Sequence, residues 1–324
     1  MNSDRPVIGI DIGGANTKVA SLDRQTAELH YLPLWKDTRL PEVLQEIVRR
    51  LQPRKVGVVM TGELADCFSD KEQGIRFIMD AVEAVFPKAL YLNNRGEFID
   101  RNGNIRSLFG ANWMASSLVA GKEKDCIFVD IGSSSSDLIP VKDGQPLAGK
   151  TDFQRLGRHE LLYRGILRTN IVAMMNNIEL GTHRYRLSSE LFALTADVYV
   201  LLGMIKLEDY TCETADGKGK SMADAARRLA RVVCADTVEL EFDEILNIAR
   251  QVYEYQKHEL AEAMGILSFK YGIDNIVGAG LGEFLIKDAA SDAGLNCSLL
   301  SEVYGAVISK VFPAYAVAYL VNEI

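Results

Sequence analysis

Three glycine-rich turns, each entered from an apolar run, carry the residues of this 324-residue chain best suited to holding a phosphate. The first is Asp11-Ile12-Gly13-Gly14-Ala15-Asn16-Thr17-Lys18. Val7–Asp11 reads as a buried strand that delivers a carboxylate into a turn, and Lys18–Leu22 reads as its returning partner. Paired glycines there let backbone N–H groups approach an anion closely. Asn16, Thr17 and Lys18 add donors and one positive charge. The second turn, Asp130-Ile131-Gly132-Ser133-Ser134-Ser135-Ser136-Asp137, sets four hydroxyls between two aspartates. That set suits phosphate oxygens and a hydrated magnesium ion, which prefers oxygen ligands. The third, Val277-Gly278-Ala279-Gly280-Leu281-Gly282, has the spacing GxGxG and not the GxGxxG of a dinucleotide fold. Alone it is equally a tight strand–helix junction. A plain glycine hairpin and a solvated serine loop are the simpler readings of the first two turns. Their common layout of strand, Asp, Ile-Gly, small polar turn and strand favours a duplicated phosphate hairpin instead. In third position the glycines Gly278, Gly280 and Gly282 then read as a ligand wall.

The remaining segments describe what must hold these turns. Leu40–Leu51 and Ile75–Phe86 carry apolar residues at helical spacing, Lys55–Met60 and Ala89–Leu92 read as buried strands, and Gly110–Gly121 reads as a tightly packed helix. Asp125–Asp130 and Leu138–Val141 are strands again, Glu244–Leu267 is one long helix, Asp274–Val277 is a strand, and Phe284–Ala293 and Ala314–Val321 are helical. Residues 160–240 read as mostly helical, interrupted by Thr211–Ser221. The alternation predicts an α/β protein, with one lobe at 1–121, a second at 122–308, and a C-terminal helix, 309–324, crossing back.

Composition narrows the function. The formal charge of −8 argues against general attraction to nucleic acid. No apolar run reaches the roughly 20 residues of a membrane helix, and the opening MNSDRPVIGIDIGG lacks a leader layout, so a cytoplasmic protein is expected. Five scattered cysteines without a CxxC, and four histidines without ligand spacing, predict neither a disulfide framework nor a structural metal cluster. Gly217–Ser221 (GKGKS) has Thr214 where a phosphate loop needs glycine, so a mobile loop is the expectation. Cys67 reads as a packed cysteine and His159 as a surface histidine. Trp113 reads as core, with an aromatic substrate pocket as the alternative. The alanine- and valine-rich last helix could serve a homo-oligomer interface.

The order of the three turns resembles the superfamily of actin, sugar kinases and chaperone ATPases. The resemblance implies two ribonuclease-H-like lobes around a central cleft. More narrowly, IGIDIGGANTK, TGELADCFSDK, NWMASS, RHELLYRGILRTN and VGAGLGEFL resemble the hydantoinase/oxoprolinase-like family linked to tetrahydromethanopterin one-carbon metabolism. One departure is IGSSSSD where that family typically reads IGGTTTD. The resemblance implies a methanofuran- or methylofuran-building transferase. It would condense an aminomethylfuran-methyl diphosphate with the phenol of γ-glutamyltyramine, or a tyrosine-type relative, and release diphosphate. Asp11 and Asp130 would then hold Mg2+. Gly13, Gly14, Asn16, Thr17, Ser133, Ser134 and Ser135 would bind phosphate oxygens, Lys18 would steady the leaving group, and Asp137 would accept the phenol proton. The alternative on the same fold is an ATP-dependent small-molecule kinase or ligase, in which the late glycine turn faces adenine.

Overall fold

The computed structural model describes residues 5–36 and 39–324. Met1–Asp4, part of the stretch read for a leader, lies outside them. Strands β1 (Val7–Gly13), β2 (Asn16–Ser21) and β3 (Ala27–Tyr31) form an antiparallel meander. Helix α1 (Leu40–Leu51) buries Leu40, Leu44 and Ile47, with a proline in its first turn. It leads into β4 (Lys55–Thr61), which runs parallel to β1 from Val7↔Lys55 to Gly13↔Thr61. Helix α2 (Lys71–Glu83), capped by Asp70 on the Gln73 N–H, leads to β5 (Leu90–Leu92), β6 (Phe98–Ile99) and α3 (Asn112–Ala120). The sheet order is β3-β2-β1-β4-β5-β6. Its core is the set Ile8, Ile10, Ile12, Val58 and Met60 with the inner faces of α1 and α2.

The chain continues through β7 (Cys126–Ile131), β8 (Ser136–Lys142), β9 (Gln145–Pro146), α4 (Asp152–Leu156), β10 (Leu161–Leu162), β11 (Asn177–Leu180) and β12 (His183–Arg186). It then forms α5 (Thr195–Leu201), α6 (Met222–Arg231), α7 (Phe242–Tyr271), β13 (Asn275–Gly280), α8 (Glu283–Asp292), β14 (Asn296–Leu299), α9 (Leu300–Tyr304), α10 (Ala306–Lys310) and α11 (Phe312–Asn322). The second sheet has the order β10-β8-β7-β13-β14. In both sheets a hairpin lies next to the strand that follows a later helix, so the duplication read from the two aspartate turns recurs in the topology. The chain divides into two compact units. One comprises Met1–Phe128, Ile139–Glu160 and Leu299–Ile324; the other comprises Val129–Leu138 and Leu161–Ser298.

Within the first unit, α11 packs on β1, β4 and α3. The approach is close enough that a Cβ at Gly9 would strike the Ala314 carbonyl, and one at Gly57 would sit 2.9 Å from the Val317 carbonyl. Glycine on the strands is therefore what admits the helix backbone.

The segment 160–240 is not mostly helical. Its first third is strand and turn: β10, a 3-10 turn at Ile171–Ala173, and the β11–β12 ribbon. Ile178 and Leu180 alternate inward with period two, while β12 is exposed along its whole length. Nor is the GKGKS stretch a free loop. Arg228, fully buried on α6, ion-pairs with the equally buried Asp197 at 2.6 Å and reaches Asp216 at 3.1 Å and the Gly219 carbonyl at 2.9 Å. Tyr210 donates to the same Asp197 at 3.1 Å, and Lys220 donates to the Tyr210 carbonyl. The polar sequence conceals the tether because its anchor lies on the following helix. Arg228→Met should leave Asp197 buried without its charge partner and cost about 3–5 kcal/mol. Urea unfolding measures this, and a loss under about 1 kcal/mol would show that the tether is not structural.

Candidate functional site

The first aspartate turn joins the antiparallel strands β1 and β2. Asp11 lies on β1 opposite Lys18 on β2, and the Lys18 ammonium stands 3.5 Å from the Asp11 carboxylate. Asp11 is buried, whereas Lys18 and the two glycines are half-buried. A Cβ at Gly14 would meet nothing within 4 Å, so that side of the turn is open. Asn16 is nearly buried, and Thr17 has no exposed surface, paired across from Ile12. The Thr17 hydroxyl is therefore not presented at the surface of the turn.

The second turn and the late glycine turn come together within the second unit. β13 ends at Gly280, whose φ of +94° favours glycine. A Cβ there would strike both the Asp130 carboxylate and the Ile131 carbonyl. The Gly282 N–H donates to the Ile131 carbonyl at 3.1 Å. Gly278 and Gly282 are buried against their surroundings. Gly282 packs on the Ile131 side chain. Asp137 is half-buried on β8, in register with Leu161 of β10.

A third segment closes on the serine turn. The N–H groups of Leu167 and Arg168 donate to the Ser133 carbonyl at 3.0 and 2.9 Å, and that of Ile166 donates to the Gly132 carbonyl at 3.0 Å. Gly165 lies so close to the Ser133–Ser134 backbone that no side chain fits there. This zipper sets the Arg168 guanidinium on the turn, where it donates to the Ser134 hydroxyl at 3.0 Å. A cavity of about 270 Å³ opens beside it, lined by Ser134, Arg164, Arg168, Thr169 and Asn170, among others. Arg164 is engaged by Glu259 at 3.3 Å and by the Ala173 carbonyl at 3.1 Å. Serine hydroxyls and a guanidinium on one turn form an anion-binding set. The residue-by-residue reading missed Arg168, although it lies inside the motif RHELLYRGILRTN. The available signal was the pair Gly165 and Arg168, three residues apart, with the apolar Ile166 and Leu167 between them.

Asp130 at its strand end, with Ser133–Ser135 beyond it, supplies hard oxygen donors of the kind Mg2+ accepts, and such an ion ordinarily keeps waters and substrate phosphate as its other ligands. Among the described residues, no group of three or more His, Cys, Asp or Glu side chains could hold a metal ion by itself. The other candidates lie elsewhere. Cys67 is exposed, with its thiol on the Leu34 carbonyl at 3.4 Å. His159 is exposed at a φ of +60°. Trp113 is buried in the first unit. Among the described residues no helix is long and apolar enough to cross a membrane.

The sequence model of the hydantoinase/oxoprolinase family matches residues 54–324. The chain is 37% identical over 327 residues to the (4-{4-[2-(γ-L-glutamylamino)ethyl]phenoxymethyl}furan-2-yl)methanamine synthase of Methanocaldococcus jannaschii, covering 98% of both chains. It is 38% identical over 205 residues to the synthase of the same name from Methanococcus vannielii, covering 62% of this chain and 92% of that one. Among solved structures, a ROK family glucokinase from Streptomyces griseus in complex with glucose and AMPPNP aligns with a TM-score of 0.52 at 11% identity, covering 98% of this chain and 100% of that one. At that identity the likeness speaks for the fold alone, which is the sugar-kinase type of α/β architecture expected from the three turns. The chain belongs to the hydantoinase/oxoprolinase family.

Proposed function

We propose that this chain is a synthase of the same kind as its methanogen relatives, forming a phenoxymethylfuran ether from a small furan substrate and a phenol. The observation that carries the reading is the 37% identity maintained over 98% of both chains with a protein of that name. The product named there contains an aryl ether on a furan CH2. Making it from a phenol requires a leaving group on that carbon, and diphosphate is the leaving group proposed here. As the C–O bond to diphosphate breaks, the furan oxygen shares the positive charge of the carbon. The phenol oxygen then forms the new C–O bond and loses its proton. The acceptor proposed is γ-glutamyltyramine.

Within this scheme, Arg168 and the Ser133–Ser135 hydroxyls would hold diphosphate oxygens in the second unit and take up the negative charge that develops as it leaves. The paired Asp11 and Lys18 with the open Gly13-Gly14 turn offer a second oxyanion contact in the first unit. Asp11 and Asp130 are the carboxylates proposed for Mg2+, which, when bound, would neutralise leaving-group charge. ATP has no role in this balance. Incubating the chain with the furan diphosphate and γ-glutamyltyramine in the absence of ATP should release diphosphate one for one with the ether, read by mass spectrometry. ADP formed in step with a phosphorylated acceptor would overturn the assignment in favour of a kinase.

A further inference from the structure

Apart from its aspartate hairpin, the first unit gathers ionisable groups around the buried Glu63 and Arg155. Glu63 follows Thr61-Gly62 at the carboxyl end of β4, the edge at which α/β sheets bind their ligands. It is 2% exposed. Its Oε1 accepts the Gly110 N–H at 2.8 Å, while its Oε2 is buried with no hydrogen-bond partner among the described residues. Asp152, at the start of α4, also approaches Gly110, its Oδ1 2.7 Å from where a Cβ would stand. Two carboxyl groups thus meet at one glycine. Asp152 pairs with the buried Arg155 at 2.8 Å, and the Arg155 guanidinium sits 5.1 Å over the ring of Trp113. The Trp113 Nε1 is also buried without a hydrogen-bond partner among the described residues. Lys150 lies 5.7 Å over the same ring, its segment held by Asn94, whose amide donates to the Lys150 carbonyl at 3.1 Å.

One cluster therefore leaves an acceptor and a donor unsatisfied, at a cost that buried groups rarely bear without a reason. The open Glu63 acceptor calls for a donor, and a phenol hydroxyl is one. Burial pushes the Glu63 carboxyl up to about 7, with the negative charge of Asp152 adding to the rise and Lys71 of α2 opposing it. A carboxyl titrating there can take a proton at neutral pH and pass it on. Aromatic surface and the cations Arg155 and Lys150 suit a phenol that is becoming phenolate.

We propose that this cluster receives the acceptor's phenol and that Glu63 takes the phenol proton as the ether bond forms, which assigns to Glu63 the role otherwise expected of Asp137. The proton moves from the phenol oxygen to Glu63 Oε2, the electron pair goes into the new C–O bond, and diphosphate leaves with the pair of the old one. This inference rests on the function proposed above.

The test follows ether formation from the furan diphosphate and γ-glutamyltyramine between pH 5.5 and 9. Wild type should show a rate rising with pH through a limb near 7. Glu63→Gln keeps the acceptor for Gly110, should lower kcat roughly 100-fold or more, and should erase that limb. A ring-fluorinated tyramine acceptor, whose phenol is more acidic, should recover activity in Glu63→Gln more than in wild type. Asp152→Asn removes the neighbouring negative charge and should move the limb to lower pH, which gives a second readout if the glutamine variant folds poorly. Wild type forming ether while Glu63→Gln matches its rate and profile would overturn the proton acceptor alone. Wild type forming no ether would overturn the function and this inference together.

Discussion

Arg168→Met is expected to lower ether formation by roughly 10²–10³-fold, the usual loss when one donor to a developing oxyanion is removed. Arg168 stands on the serine turn because its own N–H and that of Leu167 are bonded to the Ser133 carbonyl, so the substitution leaves the backbone zipper in place. Methionine also keeps much of the apolar stem. The effect should therefore appear in kcat/KM and in product inhibition by diphosphate, with little change in the melting curve. Arg168→Lys should recover only part of the loss, since an ammonium cannot present the planar fork of a guanidinium. A variant with wild-type turnover and wild-type inhibition by diphosphate would remove Arg168 from the proposed site.

Gly280→Ala should damage both fold and turnover. A φ of +94° strains any residue with a side chain, at roughly 1–3 kcal/mol. The added methyl would also drive into the Asp130 carboxylate and the Ile131 carbonyl, and overpacking adds roughly 1–3 kcal/mol more. Relief requires either β13 or the Asp130 side chain to move. Thermal melting and turnover should fall together, because the carboxylate proposed for the metal is the atom displaced. Gly14→Ala provides the contrast: its Cβ meets nothing within 4 Å, so it should melt like wild type. A Gly280→Ala chain as stable and as active as wild type would show that the late glycine turn does not set the position of Asp130.

The elements that sequence periodicity predicted best are those whose faces are decided locally. Leu40–Leu51 is a helix from end to end because its apolar spacing, the proline in its first turn and its basic last turn agree. The aspartate hairpins were legible for a similar reason, since strand, acid, glycine and returning strand lie within a dozen residues. What escaped was decided by distant partners. His183–Arg186 is fully exposed and becomes a strand only by pairing with Asn177–Leu180. Glu63 sits in a polar stretch, TGELAD, where a charged residue ordinarily faces water. Its burial depends on Gly110, 47 residues away. Arg168 is oriented by the carbonyl of the distant Ser133, so the nearby Gly165 was the one local mark of its role.

The packing of α11 on β1 has a consequence for how the chain is made. A ribosome releases β1 long before Phe312–Asn322, because the two contact surfaces lie roughly 300 residues apart in the sequence. At the usual elongation rate of about 5–20 residues per second, the apolar underside of the first sheet waits on the order of 15–60 seconds for its cover. The second unit, whose longer piece is the continuous run Leu161–Ser298, emerges before the first can be completed. Vectorial synthesis thus favours maturation of the later-encoded unit ahead of the earlier one. During that interval β1 and β4 present Gly9 and Gly57, positions with no side chain to shield the strand, to whatever nascent-chain chaperone or neighbouring polypeptide is at hand.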